Sequence, residues 1–145
     1  MAKTFFRLAG LALVFTLALA VWGANGAQAQ RGGIPTDCRD QANKGMRDIC
    51  EVAKYLGAPL TLTTVVILYL RVGQFSRACG YPTAAGYGKM RQDLEGDPGA
   101  SRIIERLRAR GFPGRLRGLS SADCRSLYSD LAELDYGGYP LVSPR

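Results

Sequence analysis

The residues in this sequence that are best placed to do chemistry are arginines, which are concentrated in one segment. Six arginines fall within sixteen positions, opposed in charge only by Glu105: Arg102, Arg106, Arg108, Arg110, Arg115 and Arg117. Guanidinium groups make paired hydrogen bonds with phosphate and carboxylate groups, and Phe112 adds an apolar contact among them. The segment therefore suggests a surface that binds an anionic partner. The alternative interpretation is a solvated face that keeps the domain soluble.

An acidic cluster, formed by Asp93, Glu95 and Asp97, is the second candidate for chemistry. A pair of carboxyl groups can hydrolyse a glycosidic bond, and carboxylates are ligands for calcium. Asp97, however, stands before Pro98 in the pattern of a helix N-cap, and the alternating ligands of a calcium loop are absent. We interpret the cluster as capping and solvation, and predict no catalytic residue, no metal and no cofactor.

The chain contains no histidine, which restricts the possible activities. Ser-His-Asp and Cys-His catalytic groups, His-ligated zinc and C-x-x-C-H haem attachment are excluded. The four cysteines lie 12, 29 and 45 residues apart along the chain, unlike the close pairs of a structural zinc site or the C-x-x-C of a redox centre. They are Cys38, Cys50, Cys79 and Cys124. An even number of cysteines predicts two disulfides if the domain is exported, as the N-terminal pattern described next indicates.

Residues 1–29 have the pattern of a cleavable signal peptide. Lys3 and Arg7 precede an uncharged apolar run, 8–22, and Ala27-Gln28-Ala29 supplies the cleavage pattern. An uncleaved anchor is the alternative, but the run is short of the ~20 residues that a spanning helix needs. Cleavage leaves 116 residues with 17 basic and 12 acidic side chains, a net charge of +5. The prediction is a basic periplasmic or secreted protein with no transmembrane segment in its mature chain.

The mature chain is divided into a flexible lead-in, 30–36, a helical domain, 37–136, and an irregular tail, 137–145. The first helix is predicted from Asp37, with apolar or small residues spaced four and three apart. Gly57 and Pro59 end it. The stripe consists of Cys38, Ala42, Gly45, Ile49, Val52 and Leu56.

The segment 60–79 is ambiguous between helix and strand. Its β-branched residues between Thr61 and Ile67 favour a strand. No second strong strand is available to pair with it, however, and its length without a turn signal suits a helix. We predict a mostly buried central helix.

Capping signals locate the later helices. A short helix is predicted over 89–95, another opens at Asp97-Pro98, and a third follows the capping box between Ser120 and Asp123. Together these patterns predict an all-α fold, a small disulfide-stapled bundle of about four helices.

The predicted first helix also determines the expected cysteine pairing. Cys38 and Cys50 on one continuous helix would lie about 18 Å apart, beyond the ~4.4–6.8 Å Cα separation of a disulfide. The tight link after this helix makes its successor antiparallel, which places Cys79 opposite Cys38. The prediction is therefore Cys38–Cys79 and Cys50–Cys124.

The expected function is that of an exported, non-catalytic binding or structural protein. Its partner would be an anionic lipid, lipopolysaccharide or an acidic protein, contacted by the arginine segment. Export argues against nucleic acid. The alternative from another class is a carboxylate-dependent cell-envelope hydrolase.

Overall fold

The computed structural model describes residues 33–145. The predicted signal peptide, 1–29, and the first residues of the lead-in lie outside this range. Five helices are followed by a two-stranded hairpin: α1 Lys44–Leu56, α2 Leu60–Cys79, α3 Ala85–Glu95, α4 Pro98–Ala109, α5 Ser121–Ala132, β1 Asp135–Tyr136 and β2 Tyr139–Pro140. The predicted helical, disulfide-containing fold is confirmed, with five helices in the described chain instead of about four.

Helix α1 begins seven residues later than its apolar stripe predicts. The Asn43 side chain accepts a hydrogen bond from the Met46 backbone N–H at 2.9 Å, which satisfies one of the free donors at the helix start. Before this cap the chain turns, and the Gln41 N–H donates to the Cys38 carbonyl at 3.4 Å. Cys38 therefore lies on a loop that precedes α1.

The predicted cysteine pairing is wrong. The disulfides are Cys38–Cys50 and Cys79–Cys124, each with a Cα separation of 5.6 Å. The exclusion of a Cys38–Cys50 bond assumed a continuous helix between them. Because the chain folds back before Asn43, Cys38 reaches the second turn of α1, and Cys79 pairs with the start of α5 instead.

Helix α2 is the central element, and it packs against α1, α3, α4 and α5. Its helical conformation confirms the prediction for the ambiguous segment. Thr63 and Thr64 are buried, and their hydroxyls donate to the carbonyls of Pro59 and Leu60, both at 2.8 Å. These bonds to the preceding turn let β-branched polar residues lie inside a buried helix. Phe75 is fully buried and belongs to the hydrophobic core.

The predicted caps of α4 and α5 are present. The Asp97 carboxylate accepts from the Gly99 N–H at 2.8 Å. At α5 the Ser120 Oγ accepts from the Asp123 N–H at 3.1 Å, and the Asp123 carboxylate accepts from the Ser120 N–H at 2.9 Å. Both helices therefore begin where their local sequences indicate.

The C-terminal segment 137–145 contains the turn and the second strand of the β1–β2 hairpin, and an isolated bridge between Val142 and Thr83. Gly137 and Gly138, with φ of 59° and 85°, form the turn of the β1–β2 hairpin, which needs two positive φ values. Leu141 is 0% exposed, and its carbonyl accepts from the Ala84 N–H at 2.9 Å. Apolar side chains in this segment complete the core, which a sequence rich in turn residues does not reveal.

Candidate anion-binding site

All six arginines of the predicted segment are exposed, but they occupy different environments. Arg102, Arg106 and Arg108 project from α4, and Arg110 is its C-cap. The remaining two, Arg115 and Arg117, lie on the loop 110–120 that leads to α5. None of the six forms an ion pair with another residue of the described chain.

Arg106 and Arg110 have partners at the C-terminal end of α1. Arg106 Nη1 donates to the Leu56 carbonyl oxygen at 2.7 Å. The Arg110 guanidinium lies 4.2 Å from the centre of the Tyr55 ring and donates to the Tyr55 hydroxyl. A cation at a helix C-terminus satisfies a free carbonyl and complements the helix dipole. These two arginines therefore join α4 to α1.

Arg108 lines a cavity of about 370 Å³ between α2, α3 and α4. Arg91 contributes a second positive charge, while Glu95 and Glu105 contribute two negative ones. The other lining residues are Tyr69, Leu94, Ser101 and Ile104. We call this the balanced cavity, because its formal charges cancel.

Arg115 and Arg117 line a second cavity, also about 370 Å³, with Arg77 from the last turn of α2. Three arginines and no acidic residue line it. Its other residues are Gln74, Ala78, Gly114 and Leu116. We call this the arginine cavity. Arginines from α2 and from the loop 110–120 line it together, without an acidic residue among the lining residues.

Buried polar contacts hold the wall of the arginine cavity. Gln74 is 4% exposed, and its Nε2 donates to the carbonyls of Pro113 and Gly114, each at 2.9 Å. Arg71, also buried, donates to Gln74 Oε1 at 3.2 Å and lies 4.6 Å from the centre of the Phe112 ring. Phe112 is thus half-buried against α2. These contacts anchor the loop backbone immediately before Arg115.

Arg77 lies beside a pair of stacked tyrosines. The rings of Tyr69 and Tyr87 are 5.0 Å apart. A Cβ atom on Gly73 would lie 2.7 Å from the Tyr87 hydroxyl oxygen and 3.3 Å from Arg77 Nη1, so these two groups share one small space. Burial raises the pKa of Tyr87 to about 12, with a smaller contribution from Tyr69. A tyrosine hydroxyl is neutral at physiological pH even with its ordinary pKa, so that of Tyr87 does not cancel the charge of Arg77.

The arginine segment identified from the sequence does not include Arg77, because Arg77 lies far from Arg115 along the chain. The Cys79–Cys124 disulfide connects the end of α2 to the start of α5, and the loop 110–120 leads directly into α5. Arg77 is thereby brought to that loop. A prediction of the Cys79–Cys124 disulfide would have placed Arg77 near this loop.

The acidic cluster is dispersed among structural contacts. Asp93 accepts a hydrogen bond from the Tyr136 hydroxyl at 2.6 Å, Asp97 caps α4, and Glu95 lines the balanced cavity. Burial together with this bond raises the pKa of Tyr136. Within residues 33–145, no group of three or more acidic or cysteine side chains is arranged to hold a metal ion.

None of the described helices alone has both the length and the apolar content to cross a bilayer, whereas α1 and α2 taken together do, as a pair bent by 111°.

The comparisons with known proteins give no assignment. The chain matches no protein-family model, no curated protein and no solved structure. The function is therefore inferred from the geometry of the arginines.

Proposed function

We propose that this protein is exported and that its mature domain binds an anionic component of the cell envelope, without catalysis, through the arginine-rich segment. The observation that carries the proposal is the arginine cavity, which is lined by three arginines and no acidic residue. Uncompensated positive charge in a concave surface concentrates anions.

Export is supported by two independent features. Residues 1–29 have the signal-peptide pattern. The two disulfides of the folded domain are compatible with an oxidising compartment. An anionic envelope component, such as a phospholipid or lipopolysaccharide, is a partner that such a protein would meet.

The contact residues in this proposal are the four arginines of the segment whose side chains make no hydrogen bond to the described chain. They are Arg102, Arg108, Arg115 and Arg117. Arg106 and Arg110 hold α1 and α4 together, so they are left intact in a test of binding.

The test measures cosedimentation of the mature protein with vesicles. We expect binding to phosphatidylglycerol–phosphatidylcholine vesicles and not to phosphatidylcholine alone. Binding should weaken steeply with salt, because exposed charges are screened over ~8 Å at physiological ionic strength. Replacing all four contact arginines by Gln should abolish it. Equal binding by the parent and this variant, with unchanged circular dichroism, would refute the proposal.

An acidic protein is the partner of different chemistry that this experiment separates. If the parent protein binds an acidic polypeptide but neither the vesicles nor lipopolysaccharide, an anionic envelope component is excluded as its partner.

A carboxylate-dependent hydrolase is the second candidate, and one observation favours it. Glu95 and Glu105, from two helices, line the balanced cavity together. Both side chains are exposed, and two arginines share the cavity with them. If this candidate is correct, the protein should release new reducing ends from an envelope polysaccharide. The Glu95→Gln and Glu105→Gln variants should not release them.

A further inference from the structure

We infer that the arginine cavity is a site for a phosphate monoester group, held jointly by Arg77, Arg115 and Arg117. This inference rests on the proposed function and deepens it, since it names the chemical group and adds a residue outside the predicted segment.

The number of guanidinium groups favours phosphate over carboxylate. A phosphate monoester carries about −1.5 to −2 charges at neutral pH and presents three strong acceptor oxygens. Each guanidinium can engage two oxygens through its planar fork. A carboxylate carries a single charge and two oxygens, which one guanidinium satisfies. Three arginines in one lining carry enough positive charge and enough donors for the charge and the acceptors of a phosphate monoester.

The loop that carries two of these arginines is held in place before any ligand binds. Gln74 donates to two consecutive carbonyls, at Pro113 and Gly114, both at 2.9 Å. The Cys79–Cys124 disulfide lies two residues beyond Arg77 along α2. A site positioned by covalent and buried polar contacts loses less conformational entropy on binding than a mobile loop does.

The size of the cavity limits the ligand. A volume of about 370 Å³ is at the low end of the ~300–1,000 Å³ range of ligand pockets. It accommodates a phosphate and a small substituent, whereas the flat surface of an acidic protein would contact outward-facing arginines such as Arg102.

The balanced cavity provides an internal comparison. It has the same volume of about 370 Å³ but contains Glu95 and Glu105 beside its two arginines. A dianion entering it would meet two negative charges at close range. The two cavities therefore differ in their expected affinity for phosphate although their sizes agree.

The experiment measures binding of glycerol phosphate by isothermal titration calorimetry and of phosphatidic acid vesicles by cosedimentation. The variants are Arg77→Gln, Arg115→Gln and Arg117→Gln. The matched controls are Arg47→Gln on α1 and Arg91→Gln in the balanced cavity, two exposed arginines outside the proposed contact set. Arg102→Gln and Arg108→Gln are measured separately for vesicle binding. We expect each cavity variant to lose about tenfold or more in affinity, because each removes a charged hydrogen-bonding partner. The controls should change less than twofold. Arg115→Lys, which keeps the charge but not the fork, should fall between the parent and Arg115→Gln.

The outcomes distinguish the two sources of phosphate. Binding of glycerol phosphate and of vesicles, both dependent on the three arginines, supports a site open to soluble and lipid-borne monoesters. Binding of phosphatidic acid vesicles alone, with the same dependence, supports a lipid head group. Competition by acetate as strong as that by glycerol phosphate would overturn the assignment of phosphate.

Different results would overturn the phosphate site and the proposed envelope-binding function. Vesicle binding that depends on Arg102 and Arg108 but not on the cavity arginines overturns the site and leaves the envelope-binding function in place. If the parent binds no anion at low salt, both are overturned. Circular dichroism and the unfolding midpoint of each variant establish that the fold is retained.

Discussion

The Arg106 guanidinium, on α4, donates to the carbonyl oxygen of Leu56, the last residue of α1, at 2.7 Å. This bond joins two helices that are separated by the whole of α2 and α3. Arg106→Gln should therefore lower the free energy of unfolding by about 1.5 kcal/mol, the contribution of a hydrogen bond with one charged partner. Urea denaturation followed by circular dichroism measures the change.

Arg102 supplies the matched control for this bond. It lies on the same helix, is exposed, and its side chain makes no hydrogen bond to the described chain. Arg102→Gln should change the stability by less than about 0.5 kcal/mol. If the two variants lose stability equally, the Arg106–Leu56 bond does not stabilise the fold.

Peptide mapping under non-reducing conditions should recover Cys38–Cys50 and Cys79–Cys124 as the linked peptides. Chain entropy then predicts unequal contributions, because the bonds close loops of 12 and 45 residues. Replacing both cysteines by Ala should cost about 3 kcal/mol for the first pair and about 4 kcal/mol for the second. Recovery of a Cys38–Cys79 peptide, or a reversed order of stability, would contradict this.

Gly86 is required where α3 crosses the backbone of β2. A Cβ atom there would lie 2.2 Å from the Tyr139 carbonyl oxygen and 2.6 Å from that of Pro140. Backbone atoms cannot move aside cheaply, so Gly86→Ala should destabilise the protein by about 3 kcal/mol or more. Thermal unfolding reports the loss.

Gly88, two residues further along α3, is the control for this substitution. A Cβ atom there would have no other atom within 4 Å. Gly88→Ala should raise the stability by about 0.5–1 kcal/mol, because alanine favours the helix interior. Equal losses at both positions would indicate a general intolerance of α3 to substitution.

Alkaline pH should destabilise the domain through Tyr87. Burial raises its pKa in the folded state to about 12, above the value of about 10 in an unfolded chain. The folded state therefore favours the protonated hydroxyl. Its contribution is complete below pH ~10 and is lost as the pH rises through about 12.

The measurement is the unfolding midpoint in urea as a function of pH. Tyr87→Phe keeps the ring but removes the titrating group, so its stability should fall less between about pH 10 and about pH 12. Tyr139→Phe is the control, since that ring is 47% exposed. A parent and a Tyr87→Phe variant with the same alkaline profile would contradict the assignment.

Short-range patterns in the sequence determined most of the helical architecture. The Asp97 cap, the capping box of Ser120 and Asp123, and the stop of α1 at Gly57 are all present in the structure. Each depends on a hydrogen bond or a backbone conformation within four residues. Such interactions can be recognised locally, because no other part of the chain has to be placed first.

Tertiary structure alone decided which distant residues meet. The apolar stripe extends on the N-terminal side of Asn43 as far as Cys38. The sequence therefore did not reveal the loop before α1 that brings Cys38 to Cys50. Leu141 is buried because the C-terminal segment pairs with residues 82–84.

The arginine cavity is also formed by contacts between residues that are distant in the sequence. Charge density in the sequence identified Arg115 and Arg117, but not the intramolecular role of Arg106 or the presence of Arg77 beside the loop. Chain spacing along one helix predicts which side chains share its face. Contacts between elements depend on where each helix begins and which ends are joined by a disulfide, and these are properties of the packed domain.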